Sequence, residues 1–252
     1  MKELPSLDAH AHLDPARTVN ELADSGFVLA MTLSLEQAAL VVDRKDPNIV
    51  WGVGCHPRKI KSQESFDIDR FRNLAERTAL VGEIGLDAGA HYSHASLEKQ
   101  LENFRKALKI VSGMPRIVSI HAYQATKFVI RELKENPIET PILHWWTGNV
   151  EETRKAVALG CYFSIHSAVA RQSKFRTTVP FDRLLVETDH GQADPPEAIP
   201  CRIEWVEHLV AQQFGITRAE VRQLAWQNLT RIVRRTQTEK LLPEQFASRM
   251  VK

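Results

Sequence analysis

The chain holds few cysteines, no long apolar run and almost no net charge, and each shortage removes a class of protein. Its three cysteines, Cys55, Cys161 and Cys201, are odd in number, far apart and outside any CxxC pairing. That pattern excludes a disulfide framework and a structural zinc knuckle, and it fits a reducing cytosol. No window approaches the roughly eighteen uninterrupted apolar residues of a membrane span, and the stretch from Met1 to Asp8 lacks the apolar run of a secretory leader. A soluble cytoplasmic protein without a membrane partner is therefore expected. The formal net charge of +2 argues against a dedicated nucleic-acid coat protein, although an enzyme that handles nucleic acid briefly needs only a local basic rim. Internal repeats, low-complexity tracts and linkers rich in Gly or Ser are missing as well.

What is present is the profile of an ordinary globular protein, with 252 residues, 43% of them hydrophobic and 25% charged, enough for one large core. One domain over residues 1–252 is expected. Short runs rich in Val, Ile and Leu alternate with longer amphipathic stretches, the signature of βαβ units and a parallel sheet. Eight such runs occur, at 5–8, 28–33, 49–54, 79–83, 116–121, 141–144, 161–164 and 184–189, each followed by a stretch that can be helical. Eight strand and helix units in one α/β domain predict a single closed (β/α)8 TIM barrel. Leu97, Leu101, Phe104, Leu108 and Val111 recur on one helical face, which should pack on the sheet. Thr217-Arg218-Ala219-Glu220 has the form of a capping box opening the eighth outer helix, in which Val221, Leu224, Leu229 and Ile232 follow at helical spacing. Asp194-Pro195-Pro196 reads as a rigid loop segment after the last strand.

Metal-ligating residue types cluster at the C-terminal ends of these runs, where barrel enzymes place their chemistry. Asp8, His10 and His12 share parity at the end of the first run, and residues i and i+2 of an extended chain point the same way, so both imidazoles can reach one ion. Glu83 closes the fourth run, His121 the fifth, His144 the sixth and Asp189 the eighth. Four histidines and two carboxylates thus converge on one rim. Imidazole with carboxylate suits Zn²⁺, Mn²⁺, Fe²⁺ or, with more oxygen ligands, Mg²⁺, and the lack of thiolate points away from a closed structural site toward a catalytic one. Six ligands exceed the need of one tetrahedral ion, and a carboxylate such as Glu83 can bridge two divalent ions about 3.5–4 Å apart and activate water between them. Asp189, within reach of that water, is the natural general base.

Seven ordered stretches along almost the whole chain resemble the TatD family of metal-dependent deoxyribonucleases, a branch of the amidohydrolase-like barrels. They are Asp8-Ala9-His10-Ala11-His12 (D-x-H-x-H), Gly54-Cys55-His56-Pro57 (G-x-H-P), Gly82-Glu83-Ile84-Gly85-Leu86-Asp87 (G-E-I-G-L-D), the helical Gln100 and Phe104, Ile120-His121, His144-Trp145-Trp146-Thr147-Gly148 (H-x-F-x-G) and Leu185-Val186-Glu187-Thr188-Asp189 (L-x-E-T-D). The resemblance implies a barrel nuclease that hydrolyses phosphodiester bonds, trimming single-stranded DNA from an end with two divalent ions, Mg²⁺, Mn²⁺ or Zn²⁺. It further implies that His10, His12 and Asp189 hold one ion, His121 and His144 the other, that Glu83 bridges, and that His56 faces the substrate and contacts a phosphate. Divergent members of the family occur in bacterial phage-defence systems, so partner proteins of that kind are an additional implication.

Two departures bear on the substrate. The family's His-x-Arg after strand five is His121-Ala122-Tyr123 here, which replaces a cationic phosphate contact by an aromatic one, and His190-Gly191 follows the last Asp where the family favours a small residue and Pro. With His166 two residues past the seventh run, these keep open a hydrolase of small-molecule esters, lactones or amides, and also a metal-binding barrel subunit of a larger complex. Tyr123, Trp145, Trp146 and Tyr92 offer stacking surfaces for bases. Trp146 shares the parity of His144 and is the expected stacking residue, whereas Trp145 has the opposite parity and is expected in the core. His91-Tyr92-Ser93-His94 is expected to form an exposed loop after the fourth run.

Overall fold

The structure is a computed structural model that describes residues 4–89, 95–172, 175–191 and 202–250. The loops expected around Tyr92 and at Asp194-Pro195-Pro196 lie outside the described residues. The eight apolar runs form strands β1 (Leu7–Ala11), β2 (Phe27–Ala30), β3 (Ile49–Val53), β4 (Leu80–Gly85), β5 (Ile117–His121), β6 (Ile142–Leu143), β7 (Tyr162–Ile165) and β8 (Leu184–Val186). They join in one sheet in sequence order, every neighbouring pair parallel. All of these strand residues are buried, because one face packs inside the barrel and the other beneath the outer helices.

The two edges of the sheet meet just beyond the strand ends. The Asp189 N–H donates to the His10 carbonyl at 3.0 Å and the His12 N–H donates to the His190 carbonyl at 2.7 Å. This seam closes the (β/α)8 barrel and places the first and last predicted ligands side by side.

The structure departs from the sequence reading between β1 and β2. Residues 12–26 form turns, with no helix. Asp14 explains why, since its carboxylate accepts the Ala16 N–H at 2.9 Å and its carbonyl the Arg17 N–H at 3.1 Å, local bonds that compete with a helical ladder. Leu22, fully buried, pins the segment to the core.

The helix Leu97–Gly113 starts at the Ser96 cap, whose hydroxyl accepts the Lys99 N–H. Its buried face includes Phe104, Ala107, Leu108 and Val111 but turns further than expected, taking in Gln100 and Asn103 while Leu97 and Leu101 are only partly covered. The two amides are buried for their hydrogen bonds: Gln100 clasps the Asp87 backbone, accepting its N–H at 2.8 Å and donating to its carbonyl at 3.1 Å, and Asn103 donates to the Gln63 carbonyl at 2.7 Å.

The described residues after β8 include the long helices Glu204–Phe214 and Arg218–Thr236. The second opens with the expected capping box, Thr217 and Glu220 bonding each other's backbone N–H. It lies over the seam, where the Trp226 indole N–H donates to the Pro5 carbonyl at 2.9 Å and the Asn228 amide to the Leu184 carbonyl at 2.7 Å. No helix among the described residues is long and apolar enough to cross a membrane.

Candidate metal centre

Along β1, Leu7 and Ala9 pack into the apolar core, and the alternating residues Asp8 and His10 take the other face, into the barrel. His10 lies within the strand and His12 just past it, so the strand runs further toward the site than the sequence reading put it. Glu83 likewise lies inside β4, His121 ends β5, His144 follows β6, and Asp189 stands three residues past β8. All six are brought together, and all but the partly covered Asp189 are buried.

Glu83 is the hub. Its Oε1 lies 2.5 Å from His121 Nδ1 and 2.8 Å from His144 Nε2, and those two nitrogens are 3.0 Å apart. Its Oε2 faces the other way, 3.1 Å from His12 Nε2 and 3.7 Å from His10 Nε2. On that second side the two Nε2 atoms are 3.3 Å apart, and each is 3.6 Å from Asp189 Oδ1. Among the residue groups compact enough to hold an ion are His10 with His12 and Asp189, and His10 with Glu83 and His144.

Three of the four inward nitrogens have a polar group facing the other side of their ring: a hydrogen-bond partner for His121 and His10, and a carboxylate at ion-pair distance for His144. Asp87 Oδ2 lies 2.8 Å from His121 Nε2, which places the proton there and leaves the Nδ1 lone pair facing Glu83. Ser119 Oγ holds His10 Nδ1 at 2.8 Å, and Glu187 Oε1 lies 3.4 Å from His144 Nδ1. Glu187 Oε1 also accepts the Trp145 N–H at 2.7 Å, and its Oε2 accepts from the Ser164 hydroxyl. Asp8 ties the seam, Oδ1 accepting the N–H of Thr188 at 3.0 Å and of His10 at 3.2 Å, and Oδ2 the Thr188 hydroxyl at 2.5 Å.

These orienting residues, Asp8, Asp87, Ser119 and Glu187, were missed as functional groups, although three of them stand inside the quoted motifs. Two glycines are imposed by the same crowding. Gly85 has φ 137° and a Cβ there would stand 2.3 Å from the His121 carbonyl oxygen; Gly191 has φ 92° and a Cβ there would stand 2.1 Å from that of His12.

The electrostatics are those of a site built around a cation. Burial pushes Asp189 and Asp8 each up to about 7 and His10 down to about 3. Burial also acts to raise Glu83, but the combined field of His56, His144 and His121 holds it well below the ordinary carboxylate range. His144 lies well above the ordinary imidazole range, since Glu83 and Glu187 outweigh its burial. Buried polar atoms are normally paired. Of the six unpaired buried side-chain atoms among the described residues, four belong to this cluster, namely His12 Nδ1, Glu83 Oε2, His144 Nδ1 and Asp189 Oδ1. Converging lone pairs, unpaired carboxylate oxygens and an all-nitrogen-and-oxygen donor set fit divalent metal.

The sequence profile of the family described as TatD related DNase matches residues 7–234, from β1 into the seam-covering helix and across every residue of the centre. The chain belongs to the TatD-related DNase family. Mouse TATDN3 is 25% identical over 262 residues, with 92% of this chain and 89% of that protein covered. The uncharacterized metal-dependent hydrolase YcfH of Escherichia coli K12 is 27% identical over 256 residues, with 90% and 94% covered. The crystal structure of YJJV, a TatD homologue from E. coli K12, superposes with a TM-score of 0.75 at 19% identity over 90% of this chain and 96% of that one, a likeness of fold. As a TatD-related DNase family member, the chain is a metal-dependent hydrolase.

Against that family background, the remaining predicted residues divide. His56, on the G-x-H-P turn, is only 2% exposed and presents Nε2 to Glu83 Oε2 at 3.0 Å. Its Nδ1 accepts the Arg58 N–H at 3.1 Å, so the ring proton sits on Nε2. Tyr123, in place of the family's Arg, is 45% exposed.

The burial of the two tryptophans differs from that expected: Trp146 is the buried one, and Trp145 packs against the core only in part. Trp146 is 2% exposed, packs on Phe163 and donates its indole N–H to Thr153 Oγ1 at 2.8 Å, so it has no face for a base. Trp145 is the partly exposed one and stacks on His166 at 3.8 Å between ring centroids. Parity failed because β6 is only two residues long and the chain leaves the extended conformation at once, with Trp145 at φ 42°. A left-handed backbone costs a bulky residue about 1–2 kcal/mol, and the Glu187 carboxylate on the Trp145 N–H helps to hold it there.

Proposed function

We propose that this chain hydrolyses phosphodiester bonds of DNA, at the ends of single strands, with two divalent cations drawn from Mg²⁺, Mn²⁺ and Zn²⁺. His10, His12 and Asp189 would hold one, His121 and His144 the other, and Glu83 would be shared. The observation that carries this reading is the division of the Glu83 carboxylate, Oε1 toward His121 and His144, Oε2 toward His12 and His10. Two such ions supply Lewis acidity and an acidified water. The side chains do the rest. Asp189, held at the seam by its own N–H on the His10 carbonyl, is the acceptor for the proton of the attacking water. His56 keeps a proton on Nε2 inside the cluster and is the donor this reading assigns to a phosphate oxygen. Tyr123 and the stacked Trp145–His166 pair are the flat surfaces available to unpaired bases, at about 1–3 kcal/mol per base.

The test is a 5′- or 3′-labelled single-stranded oligonucleotide incubated with the metal-loaded protein. Stepwise shortening is expected, abolished by chelator and by Asp189→Asn. Intact oligonucleotide under saturating Mg²⁺ and Mn²⁺ would overturn the reading.

A further inference from the structure

The end of the barrel opposite the metal centre carries a concavity of about 670 Å³, within the range of small-molecule sites. Its walls come from segments that precede strands, residues 138–140 before β6, 159–160 before β7 and 182–183 before β8, and from the end of the helix Arg218–Thr236. At about 3.3 Å per residue of strand, it stands more than about 10 Å from the ligand rim.

Four arginines line it, Arg183, Arg231, Arg234 and Arg235, against two exposed carboxylates, Glu139 and Asp182. Arg183 lies over the Tyr162 ring at 5.0 Å, so its flat guanidinium is backed by an aromatic floor. Burial raises the Tyr162 hydroxyl above its ordinary value, and the positive charges of Arg183, Arg231 and Arg235 act against that rise while Asp182 adds to it. Arg231 is steadied by Asn228, whose side-chain oxygen accepts from one of its terminal nitrogens at 2.5 Å. Arg234 and Arg235 stand in the last turn of their helix, where any cation is favoured by the helix dipole. That preference would be met with the side chains turned anywhere; it does not explain their lining one concavity with Arg183 from a different element. Ile138 and Leu159 add apolar wall.

We propose that this cavity binds the phosphate group of a nucleotide, free or within a strand, with the arginines on the phosphate and the Arg183 guanidinium plane under the base. Planar guanidiniums recognise phosphate through paired N–H donors and stack on bases, and both faculties are present here.

Calorimetric titration with dTMP, in excess chelator so that the opposite end takes no part, should show one saturable site. Arg234→Ala/Arg235→Ala should weaken it about tenfold or more with unchanged circular dichroism and Tm. Arg183→Lys, which keeps the charge and loses the plane, should weaken dTMP more than inorganic phosphate. A ten-residue thymidine oligonucleotide binding more tightly than dTMP, with steep salt dependence, would identify the strand as the source of the phosphate, and equal affinity would identify the free nucleotide. Inorganic phosphate displacing dTMP at equal concentration would overturn the nucleotide assignment. Silence from all three probes, or binding untouched in the folded double variant, would overturn the site.

Discussion

Replacing Asp87 separates a centre with two ions from a centre with one. Asp87 touches only His121 among the six ligands, Oδ2 to Nε2 at 2.8 Å, and its Oδ1 also accepts the Gly89 N–H at 2.9 Å. In Asp87→Ala the acceptor that fixes the His121 tautomer is gone, and Nδ1 no longer points its lone pair at Glu83 by default. Loss of such a partner costs about 10–100-fold in metal affinity, or about 1.4–2.8 kcal/mol. Asp87→Asn keeps one oxygen acceptor and replaces the other by an NH2 donor, so with its oxygen on His121 a loss at the lower end of that range, about tenfold, is expected. The loss should fall on one binding step, because His10, His12 and Asp189 make no contact with Asp87. The assay is stepwise titration of chelator-stripped protein with Mn²⁺ or Zn²⁺ by calorimetry, with Tm recorded for each variant. Two steps in the wild type and one weakened step in the variant are expected. A single step in the wild type, or equal weakening of both steps in a folded variant, would refute the division of labour around Glu83.

Glu83→Gln should weaken both steps and cut hydrolysis by more than the roughly hundredfold of an outer-partner loss, read from the same titration and a rate assay. Divalent metal at about 100 times its dissociation constant should raise the Tm by about 5–10 °C, and chelator should reverse the shift. In the ion-free protein His144 and Asp189 are both shifted upward, Asp189 to about 7, so they carry protons near neutrality that an incoming ion must expel. Metal affinity should therefore rise between about pH 6 and pH 8, with proton release visible in buffers of different ionisation enthalpy. Trp146→Ala should destabilise the fold by about 3–5 kcal/mol in chemical denaturation, whereas Trp145→Ala, at a partly covered residue, should cost less and raise KM for an oligonucleotide.

The barrel was legible because strands buried on both faces read as unbroken apolar runs, whatever their exact ends. The convergence of His10, His12, Glu83, His121, His144 and Asp189 was legible for a related reason, since each closes or follows one such run. What sequence could not supply is orientation where the chain stops being regular. Counting parity past His144 prolonged a strand that in the structure ends at Leu143, and it exchanged the burial expected for Trp145 and Trp146. The absent first helix was hidden in Asp14, whose side-chain bonds look no different in sequence from a helix cap. Asp87 and Glu187 stood in plain view in the motifs, but only three-dimensional packing shows which histidine each one steadies, and only packing reveals that the buried Gln100 serves Asp87 in turn. The arginine-lined cavity draws on residues from 138 to 235 and had no local signature at all.

The seam has a consequence for how the protein is made. His10 and His12 leave the ribosome well before the carboxylate that joins their group and the Thr188 that anchors Asp8 across 180 residues. At about 5–20 residues per second that interval is on the order of 10–40 s. During it the nascent chain has half a binding site and an open sheet edge at β1. Barrel closure and assembly of the His10–His12–Asp189 group are thus one event.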